Sequence, residues 1–177
     1  MSVPSTIFSS YPHDKMQWGF EERHGFVDRL LKAGRFLHGL QVKMRFGKLT
    51  RAPIRLIRLQ VCDEVVECDW LARAPDPWDV DLPRSVQQRH VSLQALRDAI
   101  DVRALLFSIM PRAETAYFRV YRESPDYTRE IIITGCTHRN DHTSRDVHSL
   151  AMRARVLGFR FNLEGDKLRT IPAREQM

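Results

Sequence analysis

Apolar residues recur at helical spacing between Phe20 and His38, at Phe26, Val27, Leu30, Leu31, Gly34 and Leu37. This pattern predicts a helix whose first turn holds Glu21 and Glu22, where the helix dipole favours carboxylates. Gly39 reads as its C-terminal cap. The period then changes to two, because Leu40, Val42, Met44 and Phe46 alternate with Gln41, Lys43 and Arg45. That alternation predicts a half-buried strand.

Two further strands follow in IRLIRLQV and VECDWLA, joined across Asp63 and Glu64. In that register Val61 faces Val66, Leu59 faces Cys68 and Ile57 faces Trp70, giving one continuous apolar side. The other side sets Arg58 against Asp69 and Gln60 against Glu67. A slip of one residue would turn Trp70 and Arg58 to the wrong faces, so the pattern defends its own register.

Ser92 reads as the N-cap of a second helix, with Val91 and Leu96 as a hydrophobic staple. Its stripe is Leu93, Leu96, Ile100, Ala104 and Phe107, and Pro111 stops it. A second hairpin runs TAYFRVYRE, a turn at 124–127, then TREIIITGC. It places Ala116, Phe118 and Val120 on one face with Ile131, Ile133 and Gly135. The opposite face carries Tyr117, Arg119 and Tyr121 with Glu130, Ile132, Thr134 and Cys136. A third helix is expected from Asn140 or Asp141, burying Val147, Leu150, Ala151, Ala154 and Leu157 and ending at Gly158. FRFNL and LRTI then close as a hairpin around Gly165. Hairpins in series predict an α+β domain, a mainly antiparallel sheet of about seven strands with three helices packed on it.

Length and composition set the frame. The 177 residues, 43% of them hydrophobic, suffice for one core. The expected organisation is an extended arm over 1–19, a single domain over 20–172 and a tail over 173–177. No apolar run approaches the roughly 18 to 20 residues of a membrane span, and residues 1–19 do not read as a secretory signal. Three cysteines, Cys62, Cys68 and Cys136, do not make a disulfide framework. A reducing cytoplasm is therefore expected, with Cys68 as a small hydrophobe.

The net charge of +6 is unevenly spread, at +7 over residues 1–60, −5 over 61–101 and +4 over the rest. Such blocks can pair within the chain or with a copy of it. Arginine outnumbers lysine 23 to 5 without any lysine-rich run, so no polyelectrolyte arm for nucleic acid is present.

Three groups invite a chemical reading. In WLARAPDPWDVDLP, Asp76, Asp79 and Asp81 sit among prolines. A loop cation site wants a glycine to fold it back, and none occurs between Gly47 and Gly135. Turn formation and capping account for Asp76 and Asp79 better. Trp78 in that polar loop must tuck onto the core or meet a partner. Cys136, His138 and His142 form a weak metal or Cys/His nucleophile set, since a structural zinc needs four ligands at recognised spacings. Tyr117, Arg119 and Tyr121 alternate ring, cation and ring along a strand, as nucleic-acid sheets do, without an RNP pattern.

No GxGxxG, HExxH, GxSxG or CxxC occurs, and FGKLT lacks the upstream glycine of a phosphate loop. The reading that follows is a non-catalytic, cofactor-free binding or assembly protein working through protein partners or self-association. Its binding residues would include Trp78, Asp76, Asp79, Tyr117, Arg119 and Tyr121. A nucleic-acid-binding domain is the second reading, and a metal-dependent or Cys/His enzyme the third.

Overall fold

The computed structural model describes residues 20–172 except 63, 125, 144 and 145, without the side chains of residues 20–24. The expected arm over 1–19, the tail over 173–177 and the turn role of Asp63 lie outside these residues. The chain is α+β. Its elements are α1 (Phe20–Lys43), β1 (Arg55–Cys62), β2 (Val65–Leu71), a 3-10 turn (Pro77–Asp79), α2 (Arg84–Ile109), β3 (Thr115–Glu123), β4 (Arg129–His138), α3 (Leu150–Val156), β5 (Phe159–Arg160), β6 (Asn162–Glu164) and β7 (Lys167–Arg169).

One sheet has five strands in the order β1-β2-β3-β4-β5, and β6 pairs with β7 in a separate two-stranded sheet. All neighbours are antiparallel except β2 and β3, which run parallel. The expectation of hairpins in series is corrected here. A parallel pair needs a crossover, and α2, 26 residues long, carries the chain back between β2 and β3.

The first helix does not end at Gly39, and no strand follows it. It continues to Lys43, because Phe36, Leu40 and Met44, spaced by four, are all buried. Gly39 is what lets α1 approach α2: a Cβ there would sit 3.0 Å from Leu105 and 3.3 Å from Ile109. The stripe expected to be buried lies elsewhere. Phe26, Val27, Leu30, Leu31 and Leu37 are exposed, as is Val42.

The β1–β2 register holds at Val61, Leu59, Gln60 and Arg58, but a bulge at Ile57 puts Leu56 rather than Ile57 opposite Trp70. In the β3–β4 ribbon Tyr117 faces Cys136, Phe118 faces Gly135 and Arg119 faces Thr134. A second irregularity at Ile132 brings Ile131 opposite Tyr121, and Ile131, Ile132 and Ile133 are all buried. The inward face of the sheet meets α2 through Val66, Cys68, Trp70, Phe118 and Val120. Trp70 meets Phe118 edge-on at 5.8 Å, and Phe118 packs on Phe159 at 5.6 Å. Apolar burial on this scale, about 1.5–3 kcal/mol per large side chain, is the main term holding the layers together.

Two helix starts are corrected as well. α2 begins at Arg84 after Pro83, so Ser92 is interior and buried, and its hydroxyl accepts from Leu168 N at 3.0 Å. Ala104, placed in the buried stripe, is exposed. α3 begins after Ser149, whose side chain accepts from Met152 N. Asp141 instead closes a turn by accepting from His138 N at 2.7 Å. Gly158 does end α3, at φ 88°. Arg139 fastens that turn to the end of α2 by donating to the carbonyls of Phe107, Met110 and Ala113.

Candidate functional site

The outward face of the sheet is built from β2, β3 and β4, where alternation turns every second side chain away from the helices. It holds a shallow pocket of about 360 Å³ lined by Glu67, Asp69, Tyr117, Arg119, Cys136 and Arg160, among others. Arg119 forms a fork on Asp69, with Nε and Nη2 each 2.9 Å from a carboxylate oxygen. Asp69 is buried, and its hydrogen bonds hold the Arg119 guanidinium above its usual range. Glu67 lies 3.6 Å from Arg119 and 3.2 Å from Arg58, which completes a four-residue charge row across β1, β2 and β3. Tyr117 is exposed beside Cys136, whose charge and hydrogen bond raise the phenol above its ordinary range. Tyr121 is half-buried.

The aspartate loop resolves into a capped connector. Asp76 accepts from Trp78 N at 3.1 Å and from Arg51 N at 3.3 Å. Asp79 turns the other way, its carboxylate 3.4 Å from His90 and its carbonyl accepting from Gln87. Asp81 is exposed. The carboxylates thus diverge. Trp78 stands out from the loop at 84% exposure. His138 lies 3.6 Å from Asp141, while His142 and Cys136 are exposed. Among the described residues, no three His, Cys, Asp or Glu side chains converge as metal ligands.

A larger concavity, about 1010 Å³, opens where β2 and β3 end and α2 begins. Leu71, Pro75, Arg84, Arg122, Tyr127 and Lys167 are among its walls. Glu130 within it is held below the usual carboxylate range by hydrogen bonds from Arg122 and Thr170. None of the expected site residues lines this cleft.

The most anomalous surface was not anticipated. Along α1, Phe26, Val27, Leu30, Leu31, Leu37 and Val42 share the side turned from the body, at 41–63% exposure. Of the four charged residues between 26 and 42, Arg35 lies at the edge of that side. Asp28, Arg29 and Lys32 instead line a polar groove of about 510 Å³ against Glu64, Arg112 and Glu114. Lys32 bonds Asp28 at 2.5 Å and holds its carboxyl below the usual range. The apolar stripe thus faces solvent, while Lys32 is half-buried against the protein and Asp28, Arg29 and Arg35 stay exposed. Sequence periodicity found this stripe. What it lacked was the competing stripe of Phe36, Leu40 and Met44 that takes the body's side.

Compared with protein-family models, curated proteins and solved structures, the chain matches none. No helix among the described residues is long and apolar enough to cross a membrane.

Proposed function

We propose that this chain is a non-catalytic binding or assembly protein of a reducing, cytoplasmic compartment, and that it acts through protein contacts made by the outer face of α1. The exposed apolar stripe of Phe26, Val27, Leu30, Leu31, Leu37 and Val42 carries this reading. Apolar patches rimmed by charge are characteristic of protein contact sites. The exposed Trp78 adds a second anchor of the kind enriched at interfaces. The free thiols of Cys62, Cys68 and Cys136 fit the compartment.

The nucleic-acid reading draws less support. Arg119, the cation expected to meet phosphate, is committed to Asp69 with Glu67 beside it. A phosphate would have to displace that fork.

The test is a photo-crosslinking amino acid placed at Leu31, with Arg160 on the sheet as the control position. Protein adducts through position 31 and not through 160 are expected in the producing cell. Adducts absent at 31, or equal at both positions, would overturn the reading.

A further inference from the structure

We infer that the occupant of the α1 face is a second copy of this chain, whose α1 lies antiparallel across it. The inference rests on the proposed binding role of that face and identifies the partner.

The argument is one of charge complementarity. Asp28 and Arg35 are seven residues apart, two helical turns, and so lie on one flank of the apolar face. Were two such helices parallel and in register, the two-fold would run along them and set this flank of one copy against the opposite flank of the other, so Asp28 would not meet Arg35. About a two-fold axis between Leu31 and Lys32 each Asp28 instead faces the other copy's Arg35, twice over, as an isologous interface requires. Antiparallel packing also sets each helix dipole against its opposite.

Shape agrees with charge. The same axis brings Leu30 of one copy level with Ala33 and next to Gly34 of the other, and a Cβ built on Gly34 meets nothing within 4 Å in its own chain. Leu31 and Val27 flank the crossing. A pair of 24-residue helices, each about 36 Å long, is an interface at the small end of the stable range. Association is therefore expected in the micromolar range.

Sedimentation equilibrium of the full chain over about 1 to 100 µM tests this. The wild type should convert from monomer to dimer across that range. Asp28→Arg places like charges at both symmetric contacts, and so does Arg35→Asp. Each alone should raise Kd roughly tenfold or more. A mixture of the two variants should restore dimers as heterodimers, since the wholly basic flank of the first then meets the wholly acidic flank of the second. Circular dichroism checks that both variants fold; these are surface positions whose loss costs the monomer little. A wild type that stays monomeric overturns the second copy as occupant, while crosslinks at Leu31 to other proteins would still leave the binding reading standing. A dimer indifferent to both variants, or one not restored by mixing, overturns the antiparallel arrangement. Absence of both self-association and Leu31 adducts would remove both.

Discussion

Replacing Arg73 with methionine should be among the most damaging single changes in the molecule. Its guanidinium is 1% exposed, and Nε lies 2.8 Å from Asp98, itself 2% exposed. The other nitrogens donate to the carbonyls of Met44 at 2.6 Å and Ala52 at 2.5 Å. Gln94 extends the set, donating to Asp98 at 2.8 Å and accepting from Leu49 N at 2.9 Å. The group fixes residues 44–52, which leave the end of α1, onto α2. Removing one partner of a buried pair costs about 3–5 kcal/mol because the survivor is left in a low dielectric. For a chain of 177 residues this lowers Tm by about 6–20 °C. The pH dependence has a definite sign. Burial pushes the Asp98 carboxyl above its ordinary value, opposed chiefly by Arg73. Without Arg73 it rises further, and a raised carboxyl favours the native state below its unfolded value and loses that contribution as pH climbs through the folded one. The deficit of Arg73→Met should therefore be larger at pH 8 than at pH 5, read by thermal melts at both. Hydrogen exchange should quicken in 44–52. A Tm drop below about 3 °C, or a deficit indifferent to pH, would refute the network as a structural tie.

Three smaller predictions accompany it. Burial raises the Cys68 thiol far above its ordinary value, whereas Cys62 and Cys136 are exposed; a thiol reagent at pH 8 should titrate two cysteines in the native chain and the third only on unfolding, and three rapid thiols would show that the sheet interior is open. Gly158→Ala puts a Cβ at φ 88° and 2.3 Å from the Cys136 carbonyl oxygen, so a loss of about 1–3 kcal/mol in chemical denaturation is expected, and a neutral result would mean that the α3 to β5 turn is built differently. Glu130→Gln removes a carboxylate whose lowered pKa contributes stability above its ordinary 4.5 and loses it as pH falls through the folded value; melts at pH 7 and pH 3 should show the gap to wild type closing in acid, and a constant gap would exclude that linkage.

Sequence patterning recovered pairings whose determinants are local. Leu59 with Cys68 and Val61 with Val66 came out in register because one ribbon carries both its apolar side and its charged side, and a slip would violate both. The pairing of β2 with β3 was not legible, because nothing local marks strands separated by a crossover. That gap altered the reading of the site as well. Arg58 was set against Asp69, but it forms its ion pair with Glu67, while Asp69 binds Arg119 from the strand on its other side. Tyr117 and Cys136 are exposed on the face expected to point outward, but Ile132, expected beside them, is buried, and the neutralisation of Arg119 depends on a neighbour that the pattern does not supply. Ser92 misled for a related reason. Its hydroxyl does serve a backbone N–H, but one from β7 at Leu168, 76 residues on, rather than from its own helix.

The first helix carries the deepest ambiguity, since it contains two apolar stripes and the body can accept only one. Phe36, Leu40 and Met44 win because Gly39 between them admits the closest approach to Leu105 and Ile109. The losing stripe then stands in solvent. With Phe26, Val27, Leu30, Leu31 and Leu37 about half exposed, each forgoes ~1 kcal/mol of burial. Two copies joined along that stripe would recover ~10 kcal/mol, against an association cost of about 4–15 kcal/mol. At the low end of that cost a few kcal/mol remain, the tens-of-micromolar regime, where a tenfold change in Kd at the flank charges decides assembly; reversing Asp28 or Arg35 should therefore matter more than their exposure alone would suggest. A monomer gains nothing from leaving Leu30 and Leu31 exposed. The pattern has a physical rationale when the outer face of α1 is an interior still to be completed.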